Sequence, residues 1–341
     1  MKRGVSYDDV LLVPRYSDIK SRSDVDISTD LGKNLTLGLP IIASPMDTIS
    51  ESPMAIAMSS YGGVAIIHRY NTIEHQAKCV ANSNRKDQRL KVGAAVGVTG
   101  DYLERAQEAN SAGASFICVD VAHGHHVLMK EALTELRGAL GNDVHLMAGN
   151  VATLEGVDNL ADWGADSVRC NIGGGSICST RIQTGHGLPG LQTIFDCAKT
   201  DRDVKIIADG GIRNSGDIVK ALAAGADAVM CGSLLAGTNE TPGKIIEERN
   251  GTRWKVYRGM ASKEAQAAWR GQYSSFEGVS SRVPYRGSVR AVLSDLETGI
   301  RSGLSYSGAR SISELHSVAT FITQTVAGLS ESSTHIVSRK W

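Results

Sequence analysis

The chain predicts an α/β fold, a closed (β/α)8 barrel, on three observations. Eight short apolar, β-rich runs are spread along its 341 residues, with helical-period segments between them. Glycines and polar residues follow these runs immediately, where a barrel would carry its C-terminal rim. No Gly-x-Gly-x-x-Gly turn opens the first βα unit, which disfavours the runner-up, a doubly wound open sheet.

The strand runs lie at 40–43, 64–67, 91–96, 116–119, 144–147, 167–170, 204–208 and 228–231. Helical-period segments include 102–109, 128–140 and 218–223, and a further helix is predicted at 289–297. A repeat of about 20–30 residues suits right-handed βα units. After successive strands come Ser44-Pro-Met-Asp47, His68-Arg69, Asp120, Gly149-Asn150, a cysteine loop, Asp209-Gly-Gly211 and Gly232-Ser233. In a barrel these residues converge. The glycines after the seventh and eighth strands stand where barrels commonly bind phosphate, so a phosphorylated ligand is expected at the rim.

The sixth connection, 171–189, is unusually long and carries Cys178 behind Gly173, Gly174 and Gly175. Such glycines permit positive φ and let successive N–H groups cradle an anion. A thiol beside that nest, with hydroxyls at Ser176, Ser179 and Thr180, is a candidate nucleophile; the other reading is an inert buried cysteine. A second long excursion follows the eighth strand, and within it 261–283 reads as a mobile cover.

Composition narrows the function classes. The formal net charge is +0, which implies no basic face for nucleic acid. The longest apolar runs are too short to span a bilayer, and the start lacks the apolar core of a signal peptide. A cytoplasmic protein is therefore expected, with one catalytic domain over 1–341. Its six cysteines (Cys79, Cys118, Cys170, Cys178, Cys197, Cys231) are scattered without metal-ligand spacing, as expected of reduced thiols.

Six runs together resemble the inosine monophosphate dehydrogenase and guanosine monophosphate reductase family over nearly the whole chain. They are Tyr7-Asp-Asp-Val-Leu-Leu-Val-Pro14, Ser44-Pro-Met-Asp-Thr48, Gly149-Asn-Val-Ala-Thr153, Gly173-Gly-Gly-Ser-Ile-Cys178, Ala208-Asp-Gly-Gly-Ile-Arg213 and Tyr257-Arg-Gly-Met260. The resemblance implies a barrel in a cyclic homotetramer, acting at the purine C2 of a nucleoside monophosphate. Dehydrogenases of the family usually carry a regulatory domain inserted near 85–91. Here Asn84-Arg-Lys-Asp-Gln88 bridges that point, so no such insertion is expected.

By position in the family, the resemblance implies that Cys178 attacks C2 and forms a covalent thioimidate, with Thr180 assisting proton movement. It places Ser176, Gly211, Gly232 and Ser233 on the 5′-phosphate, and Asp209 on the ribose hydroxyls. Ser44, Met46, Tyr257 and Met260 would frame base and phosphate, with Gly210 and Gly259 also on the substrate. Asp120, Asn150 and Arg169 would border the nicotinamide dinucleotide. A monovalent cation such as K+ would rest at Gly173, Gly175 and Cys178.

The two family branches share the covalent intermediate. A reductase expels ammonia from GMP and uses NADPH to give IMP. A dehydrogenase passes hydride from IMP to NAD and hydrolyses the thioimidate to XMP, with an adjacent Arg-Tyr pair on its flap activating water. No Arg-Tyr dipeptide occurs in 261–283; Arg270 and Tyr273 are separated by two residues. Glu277 matches the flap glutamate that, in a reductase, would partner Thr180 in protonating the departing ammonia. These features favour a reductase using NADPH. Gly62-Gly-Val-Ala-Ile-Ile-His68 and Glu331-Ser-Ser-Thr-His335 look more like the dehydrogenase branch, which keeps IMP dehydrogenase with NAD as the alternative. A weakly active purine-nucleotide-binding protein is the third reading.

Overall fold

Parallel strands buried on both faces need mostly apolar residues, which the eight runs supply apart from a few polar positions such as His145, Ser167 and Arg169. The computed structural model describes residues 3–87, 89–271, 277–332 and 334. Its barrel strands are β1 (Ile41–Ala43), β2 (Val64–Ile67), β3 (Val92–Val96), β4 (Phe116–Asp120), β5 (His145–Val151), β6 (Ser167–Cys170), β7 (Lys205–Asp209) and β8 (Ala228–Cys231). All pairings are parallel, and β8 pairs with β1 to close the barrel. Three strands have the bounds expected from sequence. Three others run further: β5 continues to Val151, and β4 and β7 continue to Asp120 and Asp209, setting both carboxylates on the last strand position.

Side chains alternate between the barrel interior and the helical shell. Ile42, Val64, Ile66, Phe116, Ile207 and Met230 share the interior, whereas Ile41, Ala65, Ile67 and Ile117 pack with the helices. Phe116 fills the space left at Gly93, where a Cβ would stand 2.4 Å from its ring. A two-stranded hairpin, Thr29–Asp30 with Thr36–Leu37, adds Leu31, Leu35 and Leu37 to the same interior cluster. Eight helices surround the sheet, and Val289–Tyr306, longer than expected, packs on Ser52–Ser60 and Ser215–Ala223 to complete the ring. Several begin on hydroxyl or amide caps: Thr72, Thr153, Asn214 and Ser288 each accept a first-turn N–H.

The cover over the rim has regular structure in its described parts. Arg253–Arg258 pairs antiparallel with both Ile246–Glu247 and Ser280–Pro284, and the helix Lys263–Arg270 sits between the last two strands in sequence. Residues 272–276, including Tyr273, lie outside the described residues, as do Gln88 and His335. Among the described residues no helix is long and apolar enough to cross a membrane.

Candidate active site

The C-terminal rim encloses a cavity of about 380 Å³. The residues to which the family resemblance assigns catalysis or ligand binding all line it: Gly173, Gly175, Ser176, Cys178 and Thr180 of the cysteine loop, strand-end residues from β1 and β4 to β8, and Tyr257, Gly259, Met260 and Glu277 from the cover; Asp47, Gly149 and Ser179 do not. Nor does His68, another strand-end residue. Its Nε2 lies 3.3 Å from the Glu51 carboxylate and its ring is buried.

Cys178 is the one half-buried thiol; Cys79, Cys118, Cys170, Cys197 and Cys231 are buried. Burial pushes the Cys118 thiol up to about 12 and raises Cys170 and Cys231 as well, so these remain protonated. The Cys178 Sγ donates to Thr180 Oγ1 at 3.1 Å, and Thr180 Oγ1 donates to Glu277 Oε2 at 2.7 Å. This relay spans two distant segments. Main-chain bonds hold them together: Ser179 N–H donates to the Glu277 carbonyl at 2.9 Å and Val279 N–H to the Ile177 carbonyl at 3.0 Å. Gly278 also lets the 259–262 turn pack against this segment, since a Cβ there would stand 3.1 Å from Ser262 N.

At the ends of β4, β6 and β7, Arg169 is buried between two carboxylates. Its Nη1 donates to Asp120 at 2.5 Å and its Nη2 to Asp209 at 2.8 Å, while Asn150 Nδ2 also donates to Asp209 at 2.7 Å. Burial alone would lower the guanidinium pKa, but Asp209 and Asp120 outweigh it and hold it well above its ordinary value. Gly149 lets Arg169 run alongside, because a Cβ there would sit 2.6 Å from Arg169 Cβ.

The glycine-lined part of the cavity is made from bare backbone. Gly210 and Gly211 take φ of 83° and 77°, and a Cβ on Gly210 would meet Gly175 N at 3.1 Å. Gly232 faces the Tyr257 hydroxyl, 2.8 Å from where its Cβ would stand. Burial pushes the Tyr257 phenol up to about 12, with the Ser176 hydrogen bond working against it, so it remains a neutral donor. Met46 and Met260 are brought together by the Asp47–Arg258 ion pair at 2.5 Å and by Asp47 N–H donating to Met260 Sδ at 3.2 Å.

Arg69 and Gln266 line the cavity without a sequence assignment. Arg69 was visible as a strand-end residue. Gln266 is buried on the cover helix, a placement that depends on how that helix docks. No group of three or more His, Cys, Asp or Glu among the described residues could hold a metal ion.

The description "IMP dehydrogenase / GMP reductase domain" matches residues 4–335. The chain is 35% identical to inosine-5′-monophosphate dehydrogenase of Nitrosopumilus maritimus, covering 98% of this chain and 99% of that protein. It is 31% identical to GMP reductase of Leishmania major, covering 99% and 98%. Among solved structures, a cysteine-to-alanine variant of GMP reductase from Trypanosoma brucei in complex with guanosine 5′-monophosphate matches with a TM-score of 0.93 at 31% identity, covering 98% of both chains. Agreement over nearly the whole length, in sequence and in fold, shows that this chain belongs to the IMP dehydrogenase / GMP reductase family.

Proposed function

We propose that the protein is a GMP reductase, converting GMP and NADPH to IMP, ammonia and NADP+. The observation that carries this reading is the Cys178–Thr180–Glu277 relay in a chain whose 261–283 segment has no Arg-Tyr pair. Relatives of both names match over nearly the whole chain, so the branch is argued from site chemistry. A purine nucleotide as substrate is supported by the GMP bound to the Trypanosoma enzyme.

In this reading the Cys178 sulfur bonds to C2 and the C2–N2 bond breaks. Glu277, through Thr180, delivers a proton so that the amine leaves as ammonia. The bound dinucleotide supplies the hydride that joins C2. The C2–S bond then breaks, releasing IMP and the thiolate. The N–H groups of Gly211, Gly232 and Ser233, with Ser176 and the neutral Tyr257 hydroxyl, hold the 5′-phosphate. Asp209 takes the ribose hydroxyls, and Ser44, Met46, Gly259 and Met260 frame the base. Asp120 and Asn150 border the dinucleotide, and the fit of such a group is supported by a buried Arg69 Nε that has no acceptor. A monovalent cation such as K+ on the carbonyls of Gly173, Gly175 and Cys178, and a homotetramer, belong to the same reading.

The higher identity to a protein named IMP dehydrogenase favours the second reading, in which IMP and NAD give XMP. The covalent step common to both is tested by quenching the enzyme with GMP and NADPH and weighing the Cys178 peptide. We expect it to carry GMP less ammonia, and the adduct to be missing in Cys178→Ala. An unmodified peptide at every quench time would contradict the mechanism.

A further inference from the structure

Two cationic side chains, Arg69 and Arg169, line the rim cavity. Their charge environments differ. Arg169 stands between two carboxylates, Asp120 and Asp209, so its positive charge is already matched. Arg69 has no carboxylate within ion-pair distance among the described residues. Its Nη2 donates to the main-chain carbonyl of Asp120 at 3.2 Å, and its Nε is buried with no acceptor. The guanidinium lies over Gly97, with Nη1 3.4 Å from where a Cβ there would stand.

A guanidinium has five N–H donors, and leaving buried ones unmatched is costly unless a ligand takes them. Position then selects the ligand. Arg69 follows β2 and reaches past Gly97, after β3, to Asp120 at the end of β4, the sector shared with Asn150. The glycine cradle for a nucleotide 5′-phosphate stands elsewhere, after β7 and β8. The geometry points to Arg69 as the residue that binds a phosphate group of the dinucleotide, a role Arg169 cannot take while Asp120 and Asp209 hold it. This inference rests on the oxidoreductase reading and is the same for either branch.

Direct binding tests it without turnover. In a Cys178→Ala background saturated with GMP, NADPH and NADH are titrated against nicotinamide fluorescence, with Arg69→Gln and Arg69→Lys compared. GMP binding, measured separately, checks that the nucleotide site is intact. Losing a charge-assisted contact should weaken dinucleotide binding about tenfold or more in Arg69→Gln, flatten its salt dependence, and leave GMP binding within about twofold. Arg69→Lys keeps the charge without the fork and should fall between. A larger loss for NADPH than for NADH assigns the 2′-phosphate; equal losses assign the bridging diphosphate. Dinucleotide binding unchanged in Arg69→Gln, or GMP binding lost with it, overturns the inference. An Arg69 protein that binds GMP but neither dinucleotide would contradict the oxidoreductase reading itself.

Discussion

Thr180 Oγ1 lies 2.7 Å from Glu277 Oε2, a contact between residues 97 positions apart in sequence. One hydroxyl thereby accepts from the Cys178 sulfur and donates to a carboxylate on the cover. Thr180 is itself buried, which keeps water from competing for either bond.

Glu277→Gln keeps the shape of that contact and removes its ability to carry a proton. Ammonia release from GMP should fall by about 10²–10⁴-fold, the usual worth of a general acid. Hydride exchange between IMP and NADP+, which breaks no C–N bond, should fall much less. Isotope exchange at C2 measures the second step alone, and equal loss of both activities would remove the acid role from Glu277.

Cys178→Ala should abolish turnover while leaving GMP affinity within about threefold, since the phosphate and ribose contacts lie elsewhere and each fold-change of ten needs about 1.4 kcal/mol. Calorimetric titration of GMP checks it. Turnover near wild type would rule out covalent catalysis.

The Asp47–Arg258 pair ties the loop after β1 to the strand that leads into the cover. Both groups are largely buried, so Arg258→Met leaves a carboxylate without its partner. Unfolding stability should drop by about 1–3 kcal/mol. KM for the nucleotide should also rise, because Met46 and Met260 lose their common anchor. Urea unfolding together with steady-state kinetics tests both. Asp47→Asn combined with Arg258→Met should recover part of the stability, and a double variant as weak as the sum of the two would show that the pair does not couple.

His145 makes acid stability a test of the barrel interior. Its Nε2 lies 2.8 Å from Ser167 Oγ, its ring meets Phe116 edge-on, and burial holds its pKa down to about 4. In the unfolded chain the value returns to about 6.5, so the unfolded state binds the extra proton between those limits. The stabilisation is complete above pH ~6.5 and is lost as pH falls toward about 4, an effect on the order of a few kcal/mol. Ring resonances assigned with His145→Gln should remain those of neutral imidazole down to about pH 5. A midpoint near 6.5 in the folded protein would contradict the burial argument.

The barrel was legible because the strands are buried on both faces and seven of the eight end in residues that no core strand would carry. Cys178 was legible because three glycines precede it. The partners of Arg169 were not. Asp120, Arg169 and Asp209 meet only because β4, β6 and β7 bring their ends to one rim, a matter of closure and register rather than local pattern. For the same reason the sequence did not show that Arg69 lacks a neighbouring carboxylate among the described residues or that Gln266 lines the cavity from a docked cover helix.

The most direct measurement sets two reactions side by side on purified protein, GMP with NADPH and IMP with NAD, following reduced-nicotinamide absorbance and ammonia. The account predicts NADPH oxidation matched one-to-one by ammonia from GMP, with no XMP from IMP. Reduced cofactor and XMP formed from IMP and NAD, without ammonia release from GMP, would contradict it and make the protein a dehydrogenase.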